Sequence, residues 1–89
     1  MSEKYEHLKV YLASVSTFKN EVSLSFKEIE KIIGDTLPTA ASKARDWWSN
    51  SEIRAGGEHP RAWLRAGWEV EHVSLKPGEE TVSFSRAKD

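Results

Sequence analysis

Residues 25–50 read SFKEIEKIIGDTLPTAASKARDWWSN, and they decide the fold because they contain two predicted helices separated by a turn. Ser25, followed three residues later by Glu28, fits a capping box, in which each side chain accepts a hydrogen bond from the other's free backbone N–H. An apolar stripe with helical spacing then runs to Ile33, and Gly34 supplies the left-handed residue that ends a helix. These residues therefore predict a short helix with both of its ends defined.

Pro38 predicts the start of a third helix that continues to about Asn50, because its missing N–H costs nothing at the first helical position. One side of this helix would be apolar and would consist of Leu37, Ala40, Ala41, Ala44 and Trp48. Trp48 lies on that side and is predicted to be in the core. Trp47 is about 100° away around the helix and is predicted to lie half-buried at its edge.

The residues before position 25 predict a helix and a strand. Apolar side chains from Tyr5 to Val15 recur at three- and four-residue steps, which indicates an amphipathic helix from about Ser2 to Ala13. Residues 21–26, EVSLSF, alternate polar and apolar side chains, which is typical of a short, half-buried strand.

The C-terminal third predicts a loop, a short helix and a hairpin. Residues 49–60 have loop composition, and HPRAWLRAG predicts one or two helical turns that end at Gly67. WEVEHVSL and TVSFSR predict two strands, with a bulge near Glu71–His72 and a turn at Pro77–Gly78. Trp63 and Trp68 are predicted core residues, and the last residues, AKD, are predicted to be a frayed tail.

The order of these elements is helix, strand, helix, helix, helical turn and hairpin. A winged helix has the same order and places its first strand beside the hairpin. We therefore expect residues 1–89 to form one small α+β domain that is winged-helix-like, with three main helices, one short strand and a C-terminal β-hairpin. The alternative is an α+β domain of similar content with different strand pairing.

Composition restricts the class of protein. The chain has 89 residues, 38% hydrophobic and 30% charged, with a net charge of −1, so it is long enough for one core and has no global attraction to nucleic acid. There is no cysteine, which excludes disulfides and thiolate metal sites. No apolar run approaches the ~18 residues of a membrane span, and the N-terminus lacks the apolar centre of a secretory signal. A cytoplasmic protein is expected.

Several motifs together resemble a known group. The chain contains the elements of the pattern F-x-E-I-E, L-P-x-S-A, R-x-W-W-x-N, A-W-x-x-A-G-W and V-x-F-x-R, with an alanine where the pattern has serine. This pattern resembles a group of small, uncharacterised bacterial and phage domains that occur alone or joined to nuclease-like domains. The resemblance covers roughly Tyr5 to Arg86. It implies a winged-helix-like fold and a role near DNA, and it implies no catalytic residue.

Catalysis is not expected. The histidines His7, His59 and His72 lie in different predicted elements, and their spacing fits neither a metal site nor a nuclease motif. His59 is the best placed of the three, although a surface or helix-start role is the simpler interpretation. We therefore predict no catalytic residues, no metal and no cofactor.

The polar side of the predicted third helix favours DNA binding. In a helix-turn-helix the second helix of the pair enters the major groove, where hydroxyl, amide and cationic side chains contact phosphates and bases. The predicted contacts to double-stranded DNA lie on this helix and the residues after it: Thr39, Ser42, Lys43, Arg45, Asn50, Arg54, Arg61 and Arg65. Ser42 and Asn50 are the candidates for base-edge contacts. Asp46 opposes this interpretation because it would face phosphates.

A protein-interaction module is the alternative function. Its contacts would be Trp47, as a partner-stacking aromatic, and the acidic hairpin turn KPGEE, as in a phage-type regulator that docks on a protein. The uneven charge supports keeping this alternative, because residues 68–89 hold three basic and five acidic side chains. The sequence marks no dimer face, so it does not predict an oligomeric state.

Overall fold

The structure, a computed structural model, describes residues 4–87 and has the α+β class predicted from the sequence. Its helices are α1 (Lys4–Ala13), α2 (Phe26–Ile33), α3 (Thr39–Lys43), α4 (Glu52–Ala55) and α5 (Arg61–Leu64), and a 3-10 turn (Arg45–Trp48) lies between α3 and α4. Its strands are β1 (Glu21–Ser25), β2 (Trp68–Ser74) and β3 (Thr81–Arg86). The predicted helix start at Ser2 and the end of the predicted tail, Lys88 and Asp89, lie outside the described residues.

The predicted capping box at the start of α2 is confirmed. The Ser25 backbone N–H donates to Glu28 Oε1 over 2.9 Å, and the Glu28 N–H donates to Ser25 Oγ over 3.1 Å. At the other end Gly34 has a φ of 72°, the left-handed conformation that a side chain disfavours. Both ends of α2 are therefore determined by residues inside or next to the helix.

The three strands form one antiparallel sheet in the order β1-β3-β2, so the short first strand lies beside the hairpin as predicted. The predicted bulge is also confirmed, because the register of β2 against β3 shifts between Val70 and His72. At the hairpin turn the Glu79 N–H donates to the Lys76 carbonyl over 2.9 Å, with Gly78 at a φ of 81°. That positive φ is what the Pro77–Gly78 sequence predicts.

The prediction of one continuous third helix is wrong. Helix α3 ends at Lys43, and Ala44 is extended, with φ −130° and ψ 117°, before the 3-10 turn begins. In an unbroken helix two adjacent tryptophans diverge by about 100°, and only one could face the core. The break turns both indoles inward, leaving Trp47 8% and Trp48 2% exposed. Both indole rings are therefore buried just after the point where the regular helix ends.

The predicted loop at residues 49–60 contains a helical turn, α4, which the sequence analysis did not anticipate. Ala55 on this turn is buried, and Gly56 ends it with a φ of 73°. The following helical turn, α5, confirms the prediction for HPRAWLRAG, and the chain leaves it through Gly67, whose φ is 87°. Residues 39–60 thus contain short helical pieces in place of one main helix and a loop.

The core lies between the sheet and the helices. Trp63 and Trp68 are fully buried, as predicted, and Trp68 Nε1 donates to the Leu12 carbonyl of α1 over 2.9 Å. Helix α1 packs on both α2 and α5 and so connects the two ends of the helical layer. Within residues 4–87, no helix combines the length and the apolar character needed to cross a membrane.

Candidate functional site

Helix α3 presents most of its residues to solvent. Thr39, Ser42 and Lys43 are exposed, and Ala41 is fully buried beneath them. The Ser42 hydroxyl donates to the Thr39 carbonyl over 3.0 Å, and its oxygen retains acceptor capacity. This part of the predicted DNA surface therefore forms one exposed polar face.

Arg45 lies at the start of the 3-10 turn and contacts the sheet. One guanidinium nitrogen donates to the Val73 carbonyl on β2 over 3.2 Å, while the residue as a whole remains exposed. An arginine carries five N–H donors, so this one bond leaves the side chain able to contact a phosphate as well. The bond fixes where the guanidinium lies relative to α3.

Asn50 has a structural role that the sequence analysis missed. Its amide nitrogen donates to the Val70 carbonyl over 3.1 Å, and its oxygen accepts from the Val70 N–H and from Trp63 Nε1, both over 2.9 Å. The side chain thus pairs with β2 at its bulge as the backbone of another strand would. Both acceptor sites of its oxygen and one of its two N–H donors are used inside the protein. We therefore do not retain the predicted base-edge contact by Asn50.

The predicted phosphate-binding arginines differ in their surroundings. Arg54 lies 3.7 Å from Asp46, and both side chains are about 70% exposed, so this ion pair is weak and readily exchanged. Arg61 contacts Glu52 over 2.7 Å and Glu58 over 2.8 Å. These two carboxylates neutralise Arg61 and tie α4 to α5, which removes it from the phosphate contacts.

Arg61 and Arg65 also line a groove of about 180 Å³ between α1 and α5, which we call the α1–α5 groove. Tyr5, Glu6 and Lys9 of α1 line its other side. Two of the eight predicted contact residues therefore belong to a separate feature of the molecule, and they do not extend the exposed face of α3.

Trp47 is not the half-buried edge residue that the helical wheel predicted. Its ring stacks on His59 with centroids 3.7 Å apart and an angle of 13° between the planes, and it meets Trp48 edge-on at 4.6 Å. One face of the indole is thus covered from within the chain. Because that face is covered and the residue is only 8% exposed, a partner cannot stack on Trp47 unless the indole leaves the core.

His59 is buried and lies just before α5, whereas a surface or helix-start role was the simpler interpretation of the sequence. Its Nε2–H donates to the Trp47 carbonyl, and burial lowers its pKa below the ordinary value, an effect that this hydrogen bond partly opposes. A Cβ on Gly57 would lie only 3.0 Å from His59 Nδ1, so a glycine leaves room for the imidazole. The only sequence signal for a buried His59 is the stretch GGEHP around it, and this composition is equally typical of a loop.

Two further features of the site concern the hairpin turn and the possible metal ligands. The hairpin turn carries an exposed ion pair between Lys76 and Glu79, whose charged atoms are 3.1 Å apart. Among residues 4–87 no three His, Asp or Glu side chains are grouped so as to hold a metal ion. The absence of such a group does not by itself identify what the domain binds.

The comparison with known families identifies this chain by one match. Residues 5–87 match the family model described as "Domain of unknown function (DUF7662)", so the chain belongs to that family. No curated protein and no solved structure matches the chain.

Proposed function

We propose that this domain binds double-stranded DNA without catalysing a reaction, as a winged-helix-like module. The observation that carries the proposal is the arrangement of α2, α3 and the sheet. Two helices separated by a turn precede a hairpin whose second strand pairs with β1, in the order β1-β3-β2. A winged helix uses this arrangement to present its second helix to the major groove.

The proposed contact surface is smaller than the one predicted from the sequence. It consists of the exposed polar face of α3 and the cations that follow it: Thr39, Ser42, Lys43, Arg45 and Arg54. Thr39 and Ser42 are the proposed base-edge or sugar contacts. The Thr39 hydroxyl can donate or accept, whereas Ser42 offers its oxygen as an acceptor because its O–H donates to the Thr39 carbonyl.

The length of α3 limits the footprint on DNA. A helix of five residues is only about 7.5 Å long, whereas the major groove is about 12 Å wide. With three cations on this surface, binding would release few counterions. We therefore expect modest affinity and a salt slope of about −2 to −3, since each phosphate contact contributes about −0.9.

Docking on a protein through Trp47 is not proposed further. The indole is buried and stacked on His59, so it would have to leave the core before it could contact a partner. Without Trp47, the acidic hairpin turn is the one remaining feature of that alternative, and its charge alone does not favour a protein partner.

Titration of a labelled duplex at about 50 mM and 200 mM salt tests the proposal. Lys43→Ala and Arg45→Ala are each expected to weaken binding to all duplexes alike and to reduce the salt slope by about one. Lys19→Ala is the matched control, because this exposed lysine lies in the loop before β1.

Ser42→Ala tests the proposed base contact. It is expected to reduce the preference between the best and a scrambled duplex by about 1–3 kcal/mol, while the salt slope stays unchanged. Absence of duplex binding by the parent protein at low salt would refute the proposed function. Equal weakening by Lys19→Ala would refute the proposed surface.

A further inference from the structure

The α1–α5 groove is a candidate binding site separate from the proposed DNA surface. Its volume of about 180 Å³ exceeds the roughly 150 Å³ that holds a benzene molecule inside a protein. The groove can therefore accommodate one aromatic ring with small substituents.

Part of the lining is aromatic and apolar. Tyr5, His59 and Ala62 line the groove, and the ring centroids of Tyr5 and His59 are 6.0 Å apart. His59 is fixed on its other side by the stack on Trp47 and by the hydrogen bond to the Trp47 carbonyl. The imidazole therefore does not have to be ordered when a ligand binds, which lowers the entropic cost of stacking a flat molecule beside it.

The rest of the lining is polar and of both charges. Three cationic side chains (Lys9, Arg61 and Arg65) and two carboxylates (Glu6 and Glu58) line the groove. Glu6 contacts Lys9 and Glu58 contacts Arg61, each over 2.8 Å. The pKa of Glu6 is lowered, chiefly by its hydrogen bond with Lys9, so this carboxylate is ionised at neutral pH.

This mixture of charges gives little net attraction for a simple ion. Three cations and two carboxylates leave the lining with a net charge of only +1, and Glu6 and Glu58 already pair with Lys9 and Arg61. A neutral ring with both donors and acceptors on its rim can hydrogen-bond to guanidinium and carboxylate groups together. Such a ring also matches the aromatic part of the lining.

We propose that the α1–α5 groove binds a neutral heteroaromatic ring that carries hydrogen-bond donors and acceptors, which is the chemistry of a nucleobase. The base can come from a free nucleoside or from an unpaired position in a nucleic-acid strand, where leaving the stack costs least. The groove uses none of the residues proposed to contact duplex DNA, so the two proposals can fail separately.

Nuclear magnetic resonance titration of the ¹⁵N-labelled full chain tests the chemical class. Adenosine and cytidine are expected to shift the backbone signals of Tyr5, His59, Ala62 and Arg65 in a saturable manner. Benzoate and benzylamine, which are charged rings of similar size, are expected to leave these signals unchanged at the same concentrations. No saturable shift with any nucleic-acid probe, or an equal response to benzoate or benzylamine, would overturn the proposal.

A pair of matched variants tests the location. Arg65→Gln removes a cationic donor from an exposed position and is expected to weaken nucleoside binding about tenfold, as loss of a hydrogen bond to a charged group does. Lys31→Gln also replaces one exposed cation with glutamine, on α2 and outside the groove, and is expected to have no effect. Equal affinities of the two variants would show that the groove is not the site.

Oligonucleotides distinguish the two sources of the base. A duplex with one unpaired base that shifts the groove signals more strongly than a fully paired duplex would identify the strand as the source. A response to nucleosides alone would identify a free base, and either response is consistent with the proposed chemistry. A groove response to the fully paired duplex alone would contradict it.

Discussion

The hairpin and the segment between residues 39 and 60 differ in what determines their conformation. In the hairpin each feature has a local cause: Gly78 adopts the positive φ that the turn requires, and Val82 and Phe84 alternate inward along β3. In the other segment the conformation depends on contacts between distant residues. Asn50 pairs with Val70, and Trp48 Nε1 donates to the Ala41 carbonyl over 2.8 Å across the break in the helix.

This difference explains where a helical wheel fails. A periodic pattern predicts a buried face only if the backbone stays regular, and the backbone at Ala44 does not. Three large rings, Trp47, Trp48 and His59, instead pack against one another. Their packing and hydrogen bonds offset the loss of helical backbone bonds, so tertiary contacts override local propensity.

The largest expected effect comes from the residue that joins the hairpin to the helical layer. Trp68→Ala removes a fully buried indole and its hydrogen bond to Leu12, and it exposes the Arg86 guanidinium, which lies 4.0 Å from the ring centroid. We expect unfolding to become easier by about 3–5 kcal/mol, measured by chemical denaturation. A loss below 1 kcal/mol would show that the hairpin does not depend on this junction.

Asn50→Ala tests whether side-chain contacts hold the segment between residues 39 and 60. The substitution leaves the indole N–H of the buried Trp63 without its partner, and we expect a loss of about 2 kcal/mol. Hydrogen exchange should accelerate between residues 39 and 60 more than in β3. Asn20→Ala, at an exposed asparagine before β1, is the control. Uniform acceleration along the chain would contradict the proposed difference between the two regions.

The sequence predicted the elements whose causes lie within a few residues. The capping box, Gly34, the bulge and the hairpin turn all follow from local chemistry, and the structure confirms them. The burial of Trp47 and His59 and the pairing of the exposed Asn50 with β2 could not be predicted, because each depends on partners 12 to 20 residues away. On α3 the exposed positions of Thr39, Ser42 and Lys43 were predicted correctly, whereas Ala40, which was predicted on the apolar side, is exposed. Ala44 was also predicted on that side and is exposed where the helix breaks.

Ser25→Ala tests helix α2, whose start, like the hairpin, is determined by residues close in sequence. It removes the hydroxyl that accepts from the Glu28 N–H and is expected to lower the unfolding free energy by about 1 kcal/mol. Ser25→Thr retains an oxygen and should recover most of that loss. If the denaturation midpoints of parent and Ser25→Ala coincide, the start of α2 is not fixed by its cap, and the contrast between the regions weakens.

The smallest expected effect is the dependence of stability on pH through His59. Burial lowers the pKa of this histidine in the folded protein, so the unfolded chain binds more protons in the range below the ordinary value of about 6.5. Stability should therefore be complete above that value and decrease as the pH falls from it toward the lower pKa of the folded state. Denaturation series from pH 8 to 5 measure this loss.

Two variants test whether His59 causes it. His59→Gln should reduce the slope of unfolding free energy against pH, because glutamine does not titrate. His72→Gln, at an exposed position on β2, should retain that slope. If the two variants have equal slopes, protonation of His59 is not linked to folding, and the stack with Trp47 tolerates a charged imidazole.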